Sequence, residues 1–185
     1  GITGAIAAYK VCELIRLFKK NNANVKVVVT PNALNFVTKT TLESLSQNAV
    51  DIEQFNIQEY KPEHIALTDE ADIFVIAPAS ANTIAKMALG ICDNLLTSTF
   101  CAFKKPVVIA PCMNTNMWES PAVEKNIETL KNRGIKVIEP DTGFLACGTN
   151  GKGRLADINL IYDTVKDILL PEQILKGKKV VITAG

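Results

Sequence analysis

Gly1-Ile2-Thr3-Gly4-Ala5-Ile6-Ala7 opens the chain as a glycine turn, and an amphipathic stretch to residue 20 and the run Val25-Lys26-Val27-Val28-Val29 follow it. The amphipathic stretch repeats its apolar residues at helical spacing, and Lys19 and Lys20 lie in its last turn, where cations favour a helix. The run at 25–29 is apolar almost throughout, which is typical of a strand covered on both faces. A turn, a helix and a buried strand in this order predict one unit of a parallel α/β sheet.

The same alternation continues along the rest of the chain. Further apolar runs predict strands at 73–77, 107–110, 135–138 and 180–182. Helical patterns lie between them, at about 32–37, 42–45, 65–70, 81–89, 95–103, 122–132 and 158–169. This order predicts an α/β fold with three layers, a Rossmann-like (flavodoxin-like) open parallel sheet with helices on both faces. Ligands of such folds bind outside the carboxyl ends of the strands.

Composition narrows the classes of protein that fit. The 20 Lys and Arg balance 19 Asp and Glu, so the charge gives no support for a nucleic-acid-binding surface. The apolar runs are much shorter than the ~20 residues of a membrane span. Five cysteines without CxxC spacing and a single histidine disfavour a disulfide framework and a metal site. We therefore predict an intracellular, cytoplasmic protein that binds no nucleic acid, membrane or metal.

The ends of the chain suggest a particular domain organisation. Residues 1–170 are expected to form one domain whose first strand is missing at the N-terminus, because the opening glycine turn should follow a strand. Residues 171–177 are expected to be a linker. Residues 178–185 have the pattern of a first strand and glycine turn, and we predict that they begin a following domain.

Two strand-to-helix turns are candidates for binding phosphate. The glycines at 1–7 let a backbone approach a ligand, and free N–H groups at a helix start attract phosphate. The turn at residues 1–7 has the spacing GxxGxxA. Thr30-Pro31 stands where NAD-binding folds place an acidic residue, so a mononucleotide fits this turn better than NAD. Ala77-Pro78-Ala79-Ser80-Ala81-Asn82-Thr83 is the second turn, and it suits a phosphate or a flavin edge. A tight turn and a plain helix cap by Ser80 remain the alternatives.

Two further segments carry chemistry. Pro111-Cys112-Met113-Asn114-Thr115-Asn116-Met117-Trp118 offers amides for a carboxylate and polarizable surface for a flat ring. The glycine-rich stretch 143–154 carries Cys147 ahead of Lys152 and Arg154, which predicts a mobile loop that closes a thiol over an anionic substrate. A packed hydrophobic loop and an idle surface thiol are the respective alternatives. His64 is the only histidine and has a pKa suited to acid–base work, although a lone histidine is more often structural.

These motifs together resemble one family. The segment 111–118 matches the PxMNxxMW pattern of phosphopantothenoylcysteine decarboxylases, which are flavin-dependent cysteine decarboxylases. The likeness extends from GITGAIAAYK through APASANTIAKMALGICDNLL to ACGTNGKGRL. The tail KGKKVVITAG is similar to the start of the synthetase domain that is fused to the decarboxylase in bacterial bifunctional enzymes.

The resemblance implies FMN as cofactor and a role for particular residues. It implies that His64 is catalytic, that Asn114 holds the substrate carboxylate and that Cys147 protonates a late intermediate. The implied FMN-binding residues are Gly1, Thr3, Gly4, Thr30, Ser80, Ala81, Asn82, Thr83 and Met113. The implied substrate-binding residues are Asn114, Met117, Lys152 and Arg154. Members of the family are trimers, often assembled further into dodecamers, with FMN at the subunit interface.

The implied reaction is FMN-dependent decarboxylation of 4′-phosphopantothenoylcysteine to 4′-phosphopantetheine in coenzyme A biosynthesis. Oxidation to a thioaldehyde would precede loss of CO2 to an enethiolate, which is then reduced and protonated. A decarboxylase of peptides that end in cysteine, a flavin prenyltransferase and a non-catalytic flavoprotein regulatory subunit are the alternatives. The synthetase-like tail argues against the peptide decarboxylase. The 111–118 segment and Cys147 argue against the prenyltransferase. The joint presence of His64, Asn114 and Cys147 argues against the regulatory subunit.

Overall fold

Parallel strands alternate with helices in the computed structural model of the protein, which describes residues 1–53 and 63–170 and, of residues 63 and 64, only the backbone. The strands are β1 (Val27–Val28), β2 (Val50–Asp51), β3 (Phe74–Ala79), β4 (Val107–Pro111), β5 (Lys136–Val137), β6 (Asp141–Phe144) and β7 (Asn150–Arg154). The helices are α1 (Val11–Lys20), α2 (Lys39–Ser46), α3 (Glu63–Glu70), α4 (Ala81–Leu89), α5 (Leu95–Ala102), α6 (Thr115–Trp118), α7 (Pro121–Asn132) and α8 (Ile158–Leu169). Short 3-10 helices at Ile6–Lys10 and Pro31–Asn35 follow two of the strand ends.

Residues 1–3 connect two groups of strands into one sheet. On one side, Ile2 N donates to Val28 O at 2.9 Å, in a parallel bridge between Ile2 and Val29. On the other side, Gly1 O accepts from Ala77 N at 2.9 Å. With the parallel pairs β1–β2, β3–β4 and β4–β5, the spatial order is β2, β1, residues 1–3, β3, β4, β5. The order reverses at residues 1–3, as in doubly wound folds.

Two apolar clusters cover the two faces of this sheet. Neighbouring residues of a strand point to opposite faces, so Val108 belongs to one cluster and Ile109 to the other. Helices α1 and α8 pack on the first face, where Leu14 and Ile161 are buried. Helices α4, α5 and α7 supply the second cluster, which includes Ile84. The predicted α/β fold, with a parallel sheet between two helical layers, is therefore confirmed.

The glycine-rich segment 143–154, for which the sequence predicts a mobile loop, has strands at both of its ends, and its mobility stays a prediction. Its ends belong to β6 and β7, which pair as an antiparallel hairpin, with Gly143 opposite Gly151 and Phe144 opposite Asn150. Glycines do not show the alternation of apolar and polar residues by which a strand is recognised in a sequence. The hairpin is held by backbone pairing that the side-chain pattern does not encode.

Some predictions fall outside what the structure describes. The strand at 180–182 and the linker at 171–177 lie beyond residue 170, and the proposed start of a second domain lies there as well. Within residues 1–53 and 63–170, no helix has the length and apolar character needed to cross a membrane.

Candidate functional site

The turns at residues 1–7 and 77–83 meet where the strand order reverses, which is the position of the ligand crevice in doubly wound folds, and Thr3 bonds the two turns together. The Thr3 side chain is fully buried, and its Oγ1 donates to Pro78 O at 2.7 Å and accepts from Ser80 N at 2.8 Å. These bonds tie the end of the 1–3 segment to the end of β3, some 75 residues further along the chain. Because both hydrogen-bonding functions of this hydroxyl are in use, Thr3 shapes the floor of the crevice.

The glycine turn packs closely against the segment that follows β1. A Cβ on Gly4 would lie 2.6 Å from Asn32 Cβ, so a side chain there would push the two turns apart. Thr30 lies at the end of β1 and precedes the 3-10 helix at Pro31–Asn35, and its N–H donates to Ile2 O at 3.0 Å. Gly4 and Thr30 thus lie toward the carboxyl edge of the sheet, whereas Gly1 lies within the sheet, where its N donates to Val75 O at 2.8 Å.

The N-terminus of α4 forms the other side of the crevice. Ser80 caps the helix, since its Oγ accepts from Thr83 N at 3.4 Å and contacts Thr83 Oγ1 at 3.2 Å. Asn82 is exposed in the first turn, and Ala81 is only partly buried. A helix start that opens beside a glycine turn supplies backbone N–H groups that favour an anion.

These features suit a phosphate-bearing flat ligand. Gly4 lets the glycine turn pack closely against Asn32, and Met113 forms buried apolar surface one strand away from Ser80. Thr30 stands at the end of β1, where an acidic residue would bind the second ribose of NAD. The residues present therefore fit a mononucleotide such as FMN.

The segment after β4 brings Asn114 to the same edge of the sheet. Cys112 N donates to Ala79 O at 3.1 Å, so this segment leaves the sheet next to the Ser80 turn. Asn114 caps α6, and its Oδ1 accepts from Asn116 N at 2.9 Å. Because Asn114 Oδ1 accepts the hydrogen bond that caps α6, Nδ2 is left as the donor of this amide for other groups.

The β6–β7 hairpin rests on this segment through backbone contacts. Met113 N donates to Gly153 O at 2.9 Å. Gly153 has φ +147°, and a Cβ on it would overlap Met113 O. A Cβ on Gly151 would likewise overlap Thr115 Oγ1. Glycine is required at both positions because the two backbones approach so closely.

This docking brings Cys147 to Asn114. Asn114 Nδ2 donates to Cys147 Sγ at 3.2 Å, and Thr149 Oγ1 lies 3.1 Å from the same sulfur. The hydrogen bonds from the Thr149 hydroxyl and backbone N–H, followed by that from Asn114, lower the pKa of the exposed Cys147 thiol. The hairpin therefore presents an acidified thiol beside the amide of Asn114.

Three comparisons place this geometry among known proteins. The family model described as Flavoprotein matches residues 1–170. The chain belongs to the flavoprotein family.

Named relatives agree with the family. A probable phosphopantothenoylcysteine decarboxylase of Streptococcus mutans is 41% identical to 91% of this flavoprotein, over 96% of its own length. The coenzyme A biosynthesis bifunctional protein CoaBC of Haemophilus influenzae is 45% identical over the whole chain. The chain spans only 46% of that relative, about half the length of the first bifunctional relatives it matches.

A solved structure agrees as well. A mutant PPC decarboxylase complexed with pantothenoylaminoethenethiol has a TM-score of 0.80 and 38% identity, and the match covers 89% of this flavoprotein and 93% of that chain. The predicted resemblance to phosphopantothenoylcysteine decarboxylases is thus confirmed.

The substrate-binding predictions differ in their surroundings. Lys152 Nζ pairs with Glu139 at 2.8 Å and lies 5.5 Å from the centre of the Trp118 ring. Arg154 lies 3.7 Å from Asp141. Lys152 and Arg154 therefore already have acidic partners, and an anionic substrate would compete with Glu139 and Asp141 for them. Met117 is exposed on α6 next to the docked hairpin.

His64 lies near the start of α3, and its side chain belongs to the part that the structure does not describe. The end of α3 is held at the amino edge of the sheet, where Lys105 Nζ donates to Ala71 O at 2.6 Å. The catalytic role of His64 stays a prediction. Among the described residues, no group of three or more His, Cys, Asp or Glu could hold a metal ion.

The sequence does not indicate the contacts that Thr149 and Thr115 make near the thiol. Thr149 touches the thiol, but it stands within a glycine-rich stretch where nothing marks its side chain as facing Cys147. Thr115 Oγ1 is buried without a hydrogen-bond partner in the described part of the chain, beneath Gly151. Only its place within the 111–118 pattern pointed to it.

Proposed function

We propose that this protein binds FMN and decarboxylates 4′-phosphopantothenoylcysteine to 4′-phosphopantetheine in coenzyme A biosynthesis. The observation that supports it best is the 3.2 Å contact from Asn114 Nδ2 to Cys147 Sγ, beside the crevice at the strand ends. An amide that can bind a carboxylate and a thiol that can give up a proton stand together there. The names of the relatives point to the same substrate.

The chemistry explains why a flavin is required. Direct loss of CO2 from a cysteinyl carboxylate would leave a carbanion that nothing stabilises. FMN, when bound, supplies a reversible acceptor for two electrons, which converts the carbon bearing sulfur into a conjugating group. The two electrons return to the product, so no external oxidant is consumed.

Asn114 would orient the carboxylate that leaves as CO2. Its Oδ1 is bound to Asn116 N, and this fixes which end of the amide faces the site. One N–H of Nδ2 donates to Cys147 Sγ, and the second N–H would donate to the substrate carboxylate. In Asn114→Asp, the new side-chain carboxylate would repel the carboxylate of the substrate.

Cys147 would protonate the enethiolate that CO2 loss leaves behind. It is exposed on the turn between β6 and β7, and hydrogen bonds lower its pKa, so it can deliver a proton to a bound substrate. His64 is proposed as a second catalytic residue in the oxidation step. Met117, Lys152 and Arg154 are proposed to contact the substrate from α6 and β7.

The remaining assignments concern the whole protein. We propose that Gly1, Thr3, Gly4, Thr30, Ser80, Ala81, Asn82, Thr83 and Met113 form the FMN site. Residues 178–185 would begin a synthetase domain, because bifunctional relatives are about twice as long as this chain. A cytoplasmic homotrimer, with or without further assembly to a dodecamer, completes the proposal.

Anaerobic incubation of the protein with 4′-phosphopantothenoylcysteine tests the reaction. The CO2 and the thiol product are followed by mass spectrometry, and the released cofactor is identified by its mass as FMN or FAD. We expect CO2 and 4′-phosphopantetheine in equal amounts and FMN as cofactor. If only a peptide ending in cysteine is decarboxylated, the peptidyl alternative holds, and a protein that takes up no flavin supports the regulatory one.

Variants test the residue roles in the same assay. We expect Asn114→Asp and His64→Asn to lose CO2 release while they keep bound FMN. We expect Cys147→Ser to release CO2 but to accumulate the unreduced product. Asn132→Asp makes the same chemical change on an exposed position at the end of α7 and should turn over normally. Normal turnover by Asn114→Asp would refute its role.

A further inference from the structure

The Cys147 thiol has a neighbour that the family pattern does not single out. We propose that Thr149 is a positioning residue for Cys147. The Thr149 hydroxyl accepts the S–H hydrogen of Cys147 before proton transfer and donates to the Cys147 sulfur after it. The inference rests on the proposed role of Cys147 as the acid. It concerns the state of the thiol and can be measured without turnover.

The hydrogen-bonding groups around the sulfur divide into two kinds. Asn114 Nδ2, at 3.2 Å, and the Thr149 backbone N–H are donors only. The Thr149 hydroxyl, at 3.1 Å, can donate or accept. Of these three groups it alone can accept the S–H hydrogen of the thiol and also donate to the thiolate. After the proton has left, the Thr149 hydroxyl would change from acceptor to donor and stabilise the Cys147 thiolate.

The turn of the hairpin holds Thr149 in this place. Leu145 N donates to Thr149 O at 2.8 Å, and Gly148 N donates to Leu145 O at 2.9 Å. Leu145 is buried, which anchors the turn, and Gly148 adopts φ +84° between the two residues of interest. The contact between Cys147 and Thr149 is therefore built into the turn and does not depend on a flexible side chain reaching across the surface.

Charged side chains near the hairpin have partners of their own. On β7, Lys152 is bound to Glu139 and Arg154 lies beside Asp141. On the segment after β4, the group that faces the sulfur is the neutral amide of Asn114. The pKa of Cys147 is lowered by hydrogen bonds from neutral groups, first those of Thr149. Neutral donors are screened little by salt, so the acidity should be nearly independent of ionic strength.

The proton transfer balances without another reactant. The S–H bond of Cys147 breaks and a C–H bond forms on the enethiolate carbon, while the electron pair stays on sulfur. The hydroxyl of Thr149 then rotates and donates to the thiolate. Solvent returns a proton to the exposed sulfur before the next turnover.

Site-specific alkylation of the FMN-loaded protein tests the inference. Thr149→Val keeps the shape but removes the hydroxyl, and Thr149→Ser keeps the hydroxyl. The rate of iodoacetamide addition to Cys147 is followed against pH by peptide mass spectrometry, with Cys92 in the same sample as reference. We expect Thr149→Val to raise the Cys147 pKa and to reduce its thiolate fraction near neutral pH about three- to tenfold. Thr149→Ser should match the unsubstituted protein.

Turnover provides the second readout. Thr149→Val should release CO2 at the normal rate but form the reduced thiol product more slowly, with its pH profile displaced upward. An unchanged alkylation profile in Thr149→Val would overturn the inference even if the protein decarboxylates its substrate. Absence of CO2 release from the unsubstituted protein would refute the proposed function instead. If Thr149→Val does not fold, Thr149→Ala is compared with Thr149→Ser, and equal Cys147 pKa values in that pair would equally overturn it.

Discussion

Replacing Gly153 by alanine should detach the hairpin from the segment after β4. Gly153 has φ +147°, a backbone region that is essentially confined to glycine and costs other residues about 1–3 kcal/mol. The new Cβ would overlap Met113 O, and relief of this overlap breaks the 2.9 Å bond from Met113 N to Gly153 O. Loss of that bond costs about 0.5–1.5 kcal/mol. We therefore expect the free energy of unfolding to fall by about 1.5–4.5 kcal/mol.

Urea denaturation followed by circular dichroism measures this loss. Gly90→Ala is the matched control, because Gly90 also has positive φ, at +74°, but nothing lies within 4 Å of its Cβ position. Backbone strain alone should cost that variant about 1–2 kcal/mol. Detachment would also separate Cys147 from Asn114, so the Cys147 thiol pKa should rise in Gly153→Ala. If both variants lose the same stability and the pKa of Cys147 is unchanged, the close backbone approach does not hold the hairpin.

Two further predictions concern the crevice and the surface. Thr3→Val should cost about 1–3 kcal/mol in urea denaturation, since Ser80 N loses its partner and Pro78 O keeps only the 3.3 Å bond from Thr3 N, and it should weaken FMN binding. Thr3→Ser should be nearly neutral, and equal stability of both variants would contradict this. Glu139, bound to Lys131 and Lys152, has a pKa below its ordinary 4.5, so its stabilisation is present above that pH and disappears as the pH falls through the lowered value. Because the pairs are exposed, Glu139→Gln should cost less than about 1 kcal/mol at pH 7 and nothing at pH 2; a difference that persists at pH 2 would refute the ion-pair explanation.

Much of the fold was predictable because its parts are locally encoded. The predicted helices at 81–89 and 158–169 agree with α4 and α8, because periodic apolar residues and caps at Ser80 and Asp157 define them. The apolar run at 107–110 agrees with β4, since a strand covered on both faces needs apolar residues throughout. The short strand β2 and the helix α6 were missed because neither is long enough to show a period.

The sequence predicts candidate residues for the site but not the contacts that these residues make. The pattern at 111–118 marked Asn114, and the glycines around Cys147 marked a special backbone. The pairing of Lys152 and Arg154 with acidic residues was not foreseen, because Glu139 and Asp141 carry no sign of their partners in the sequence. Their roles as substrate ligands stay predictions for this reason.

The sequence alone determined the order of strands and helices, the glycine turns and the family, because each depends on residues close together in the chain or on a short specific pattern. Only the tertiary structure decided that Thr3 bonds to Pro78, and that Asn114 meets Cys147 across 33 residues. Such contacts depend on how the elements pack, since a hydrogen bond between distant residues leaves no periodic trace in either one. The turn of the hairpin itself places the Thr149 donors beside the Cys147 sulfur, and the donor from Asn114 is added only when β7 docks against Met113.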